Sequence, residues 1–114
     1  MFPSARFFAI LVAALTLMPI TPPAWATTGP GCLRVVNIAA NDVLNLRRRP
    51  ITSSHILARI LPSQQGVLHL DAKCVPLALP WKSRWCPVSY FTGSPNDPVK
   101  GWIKARYVRD QECP

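Results

Sequence analysis

Four cysteines, Cys32, Cys74, Cys86 and Cys113, follow an apolar leader ending in Ala24-Trp25-Ala26, and they restrict this 114-residue chain more than any other feature. An even number of thiols in a short chain behind an export signal reads as two disulfides made in an oxidising compartment. The leader has the zones export needs: Arg6 as a positive start, a charge-free apolar run over residues 7–18, and the small Ala24 and Ala26 for a peptidase. Cleavage is expected after Ala26. The apolar run is too short for a bilayer core, which takes about 20 residues, and Pro19, Pro22 and Pro23 interrupt any longer helix. No stable membrane anchor is expected.

Removal of residues 1–26 leaves a short tail, 27–31, and one small domain, 32–114, without a second hydrophobic stretch. A domain of this size buries only about 60 to 65 % of its unfolded surface and is marginal without covalent staples. Thirteen Lys and Arg, less Arg6 of the leader, stand against five Asp and Glu, so the processed chain carries +7. Such a charge favours encounter with anionic polymers or surfaces. Nucleic acid fits electrostatically, but export removes it as a physiological target.

Helical spacing is almost absent. Strands are expected over residues 32–38, 43–47, 56–61, 67–70, 85–91 and 100–104, with Asn41-Asp42, Pro62, Gly66 and the stretch 92–98 as turns, and with Tyr107 and Val108 closing the domain. In the third segment Arg59 points outward, which puts Ile56, Ala58 and Ile60 on the inner face. About five or six short strands in so short a domain imply an all-β fold, a small and strongly bent barrel or sandwich.

Catalysis finds little support. A nucleophilic triad needs a Ser or Cys, an activating His and an orienting acid, and His55 and His69 are the only histidines. The acids Asp42, Asp71, Asp97, Asp110 and Glu112 sit in turn or tail sequence. A zinc site from the cysteines and a histidine lacks the close Cys-x-x-Cys pairs that metal favours. No catalytic residue, metal or cofactor is assigned. Four cysteines allow three pairings, and spacing does not choose among them.

Leu44-Asn45-Leu46-Arg47, Pro50, Leu61-Pro62, Gly66, Trp85-Cys86 with Val88, Gly101-Trp102-Ile103 and Tyr107-Val108 occur in an order that resembles the bacterial SH3-like domains of exported proteins. The resemblance runs over residues 33–109 and implies a small SH3-like barrel. Arg49 stands where that family usually has glycine, and the segment between Cys74 and Trp85 is long. The resemblance also implies a nested pairing: the first and last strands of such a barrel lie close, which suits Cys32 with Cys113, while Cys74 and Cys86 flank one hairpin.

Binding remains, through aromatic and basic side chains. Trp102 and Tyr107 match positions that mostly pack the barrel; Trp85 is divided between core and groove; Trp81, between Pro80 and Lys82, is either a contact residue or a lid. Arg47, Arg48 and Arg49 form the densest charge run, which with Lys82, Arg84, Lys104, Arg106 and Arg109 would make an anionic-ligand surface. The candidate binding residues are therefore Trp81, Trp85, Arg47, Arg48, Arg49 and Tyr107. What the resemblance implies is a non-catalytic module of the periplasm or exterior that recognises cell-wall peptide, peptidoglycan or an envelope protein. The alternatives are a secreted inhibitor or effector acting through the loop over residues 76–84, and a structural subunit of an envelope complex.

Overall fold

The computed structural model describes residues 31–114. The expected leader, its cleavage point and residues 27–30 of the tail lie outside the described residues. Seven strands follow in order: β1 (Gly31–Val35), β2 (Leu44–Arg47), β3 (Ile56–Ile60), β4 (Val67–Leu70), β5 (Trp85–Phe91), β6 (Val99–Lys104) and β7 (Val108–Gln111). They form one open antiparallel sheet in the order β3-β2-β6-β5-β4-β1-β7. Short 3-10 turns at Pro62–Gln64, Trp81–Ser83 and Ala105–Tyr107 complete the described structure, which contains no α-helix. The all-β expectation is met, but the strands number seven rather than five or six. The extra strand is the stretch beyond Val108, which runs back along β1 with Gln111 opposite Cys32.

The sheet folds over on itself, because its two edge strands feed one core: Ile60 of β3 and Val108 of β7 are both fully buried in a cluster with Leu33, Leu46, Leu68, Leu70 and Ile103. Alternation explains this placement, since in β2 Leu44 and Leu46 are buried while Asn45 and Arg47 are not, and in β4 Leu68 and Leu70 repeat the pattern. Central β5 is covered on both faces. Cys86, Val88 and Tyr90 enter the core, and the alternate residues Trp85 and Ser89 are buried as well. Trp102, expected in the core, is instead half-buried on the face of β6 opposite Ile103, because adjacent residues of a strand point to opposite sides.

Two glycines mark close backbone approaches. A side chain on Gly101 would meet the Arg47 carbonyl at 2.6 Å, so β6 passes β2 only because that position is bare. Gly66 adopts φ +59° at the turn into β4, and a Cβ there would run into the Phe91 carbonyl. Where the β1–β4 ladder ends at Leu33, the Gln65 side chain takes over: its Oε1 accepts from Val35 N–H at 2.9 Å and its Nε2 donates to Leu33 O at 2.8 Å.

Both disulfides are formed, Cys32 to Cys113 and Cys74 to Cys86, with sequence separations of 81 and 12 and no free cysteine among the described residues. This is the nested pairing, and it is consistent with an oxidising, exported environment. By loop-closure entropy the long bridge stabilises the fold by about 4.5 kcal/mol and the short one by about 3 kcal/mol. Replacing Cys32 and Cys113 by Ala should therefore lower the denaturant midpoint more than replacing Cys74 and Cys86, a comparison that equilibrium urea unfolding of the two variants reads directly.

Candidate binding groove

A groove of about 400 Å³ opens between the 36–43 loop and the 3-10 turn Ala105–Tyr107. Its two sides are joined by backbone and side-chain bonds: Val36 N–H donates to Tyr107 O at 2.8 Å, and Asn37 Nδ2 donates to Arg106 O at 2.9 Å. Asn37 reaches that carbonyl from a left-handed backbone, φ 60°, which Asn tolerates better than most residues. The volume lies within the range of small-ligand pockets, roughly 300 to 1,000 Å³.

Trp85, Tyr107, Arg47 and Lys104 all line the groove. Register places two of them, because Trp85 of β5 pairs directly with Lys104 of β6, and Lys104 Nζ sits 5.1 Å from the centre of the indole. A cation over an indole face is held there by the ring quadrupole. Arg47 is steadied from the other side by a bond from its Nη1 to Ser54 O at 2.9 Å. The Arg106 guanidinium lies 6.0 Å from the Tyr107 ring centre. Asp42 is the one acid in the lining, and its Oδ1 accepts from the Val43 N–H at 2.7 Å.

The positive charge is almost unneutralised. Among the described residues the ion pairs are His69 and Lys100 with Asp71. Asp97 is turned to the hairpin between β5 and β6, where the Thr92 N–H above all, with that of Gly93, holds its carboxyl below the usual carboxylate range. Arg47 and Lys104 thus face the groove with no carboxylate partner. A ligand carboxylate would find charge-assisted donors there, and the Trp85 and Tyr107 rings would supply apolar faces.

Of the residues singled out from the sequence, the structure brings together Trp85, Tyr107 and Arg47 and leaves the other three elsewhere. Arg48 and Arg49 are exposed on the loop between β2 and β3, where Arg48 N–H donates to His55 O and Arg49 N–H to Ser54 Oγ. Trp81 starts a 3-10 turn, half-buried against the core, with its indole Nε1 buried and unpartnered. The basic residues do not all share one surface: Arg109 stands opposite Arg34 on the β1–β7 ladder, and Arg84 points into its own loop. Asn37, Asn45 and Thr52 were not singled out as binding residues; Lys104, expected only as one of several cations on a wider basic surface, is put beside Trp85 by the β5–β6 register, which spacing alone does not supply.

A second polar cluster lies farther along the face of β5 that carries Trp85. Ser89 Oγ donates to Asp71 Oδ2 at 2.8 Å and accepts from Lys100 Nζ at 2.7 Å, and His69 Nδ1 lies 3.2 Å from Asp71 Oδ1. Ser89 is 3 % exposed and its hydroxyl is committed in both directions, so it is not presented as a nucleophile. The cluster satisfies polar groups on a strand whose faces are both covered. Among the described residues no three His, Cys, Asp or Glu are placed to hold a metal ion. Comparison with protein-family models, with curated proteins and with solved structures finds no match for this chain.

The wall of the groove depends on Asn37. Replacement by Ala should cost about 1 to 2 kcal/mol, from the left-handed backbone and the lost bond to Arg106 O together. Asn37→Gly keeps the backbone freedom and should cost about 1 kcal/mol or less, so urea unfolding of the pair separates the two contributions.

Proposed function

We propose that this chain is an exported, non-catalytic SH3-like binding module whose groove recognises acidic ligands of the cell envelope, with cell-wall peptide or peptidoglycan as the leading class and an envelope protein as the other. The observation that carries the reading is the groove itself: two aromatic side chains, Trp85 and Tyr107, beside two cations, Arg47 and Lys104, that have no carboxylate partner among the described residues. The SH3-like assignment draws support from the single folded-over antiparallel sheet and from the Gly101 approach to Arg47, which gives the Gly-Trp-Ile stretch a physical reason. Export draws support from the leader sequence and the two disulfides. Recognition works by charge-assisted bonds from Arg47 and Lys104 to ligand carboxylates, with aromatic rings against apolar or sugar surfaces. Peptide stems of a wall polymer carry both features.

The test is sedimentation with insoluble wall sacculi at modest salt. Lys104→Glu should weaken binding by about tenfold, equivalent to ~1.4 kcal/mol. Arg34→Glu, which changes net charge by the same amount outside the groove, should leave binding nearly intact. Equal losses in both variants would reduce the interaction to bulk charge and remove the groove from it.

A further inference from the structure

Three of the six large apolar side chains exposed on the described surface lie in one short stretch of the loop between β4 and β5: Val75 at 38 %, Leu77 at 57 % and Leu79 at 43 % exposure. A slack loop would fold such residues inward. This loop is braced at every level. At its base, beside the Cys74–Cys86 disulfide, Val75 and Trp85 exchange both backbone hydrogen bonds, at 2.8 and 2.7 Å. In its interior, Arg84 donates from Nε to Leu79 O at 2.7 Å and from Nη2 to Leu77 O at 2.9 Å, so those carbonyls face inward. At its foot Ala105 N–H donates to Arg84 O at 3.0 Å and Arg106 Nε to Lys82 O at 3.2 Å, while Trp81 packs on the core. The result is an aliphatic tip held out in water by the rest of the loop.

Its surroundings are cationic. The exposed Lys73 and Lys82 flank the tip in the chain, and no acid occurs between Asp71 and Asp97. The chemistry of the tip selects among occupants. Protein hot spots are rich in Trp, Tyr and Arg and poor in Leu and Val, whereas this tip is aliphatic and its inner carbonyls are already bonded. A lipid interface asks for less: apolar area at the acyl boundary and cations level with anionic headgroups.

We propose that the tip over residues 75–79 docks the protein on the surface of an anionic lipid bilayer, with Val75, Leu77 and Leu79 entering the acyl boundary and Lys73 and Lys82 meeting the headgroups. This is peripheral docking rather than a membrane span, and it stands independently of what the groove binds.

The experiment uses the disulfide-bonded chain from Thr27 onward, which contains every described strand and keeps the apolar leader from contributing. Binding is measured by sedimentation with vesicles of phosphatidylglycerol mixed equally with phosphatidylcholine, and with phosphatidylcholine alone. The protein should bind the anionic vesicles and release from them as salt rises. The double variant Leu77→Asp with Leu79→Asp should lose at least about tenfold in partitioning, whereas Ile51→Asp, at an equally exposed apolar residue (52 %) of another loop, should stay within about twofold. Thermal melts check that the variants fold. Leu77→Trp adds a positional readout, since lipids brominated on their acyl chains should quench the new indole. Absence of vesicle binding, equal binding by the double variant, an unquenched Leu77→Trp, or a tip that engages only a protein would each overturn the proposal.

Discussion

The crosslink between Cys74 and Cys86 is the constraint through which both sides of this molecule are arranged. Cys86 lies fully buried in the core, and its neighbour Trp85, on the opposite face of the same strand, lines the groove. The bridge also pins Val75 beside Trp85, so the start of β5 is fixed from the loop side as well as from its partner β6. A short core cannot hold a strand end this firmly by burial alone, because a domain of this size leaves about two-fifths of its unfolded surface in water. Covalent closure replaces the missing area. Lys104 then lies over the indole face, so register sets the strand side of the groove while the 36–43 loop sets the other.

Arginine does much of the internal work. Arg47, Arg84, Arg106 and Arg109 each donate to a backbone carbonyl, at distances from 2.7 to 3.2 Å. Most of these bonds satisfy carbonyls in turns and loops that no strand partner reaches, and a charged donor strengthens them relative to neutral ones. The planar fork lets one side chain hold two carbonyls, as Arg84 does across its loop, and lysine could not reproduce that geometry. Because the acceptors are neutral, the positive charge is not cancelled by this service. A high cationic charge is therefore compatible with a tightly bonded fold and stays available to an anionic partner.

Much of the sheet was legible in the sequence. Residues 67–70 and 85–91 are strands with the expected bounds, since alternation and flanking turn formers agree there. β1 stops at Val35 rather than continuing to residue 38, because Asn37 turns the chain through a left-handed conformation in order to bond Arg106 O. That is a long-range cause, and no local propensity carries it. The site was half legible for the same reason. Trp85, Tyr107 and Arg47 stand out by residue type, whereas Lys104, one of several cations expected on a basic surface, is set apart from the rest by the residue across the ladder, and Arg48 and Arg49 fall outside the groove when the strand ends at Arg47. The polar row of His69, Ser89 and Lys100 around Asp71 follows from cross-strand register too, so inspection of any one segment misses it.

The groove and the loop between β4 and β5 share a structural element, and this ties their behaviour together. The 3-10 turn Ala105–Tyr107 supplies Tyr107 to the groove, while its Ala105 N–H and its Arg106 Nε hold the far end of the loop at Arg84 and Lys82. Trp85 performs the same double service at the near end, its backbone bonded to Val75 and its side chain lining the groove. A hinge between the two surfaces would have to break these bonds together, together with the packing of Trp81 on the core. Interactions at one surface consequently fix the orientation of the other. A protein lodged by the loop would present its groove at a set angle to whatever carried it, so that tight positioning is achieved without a conformational change.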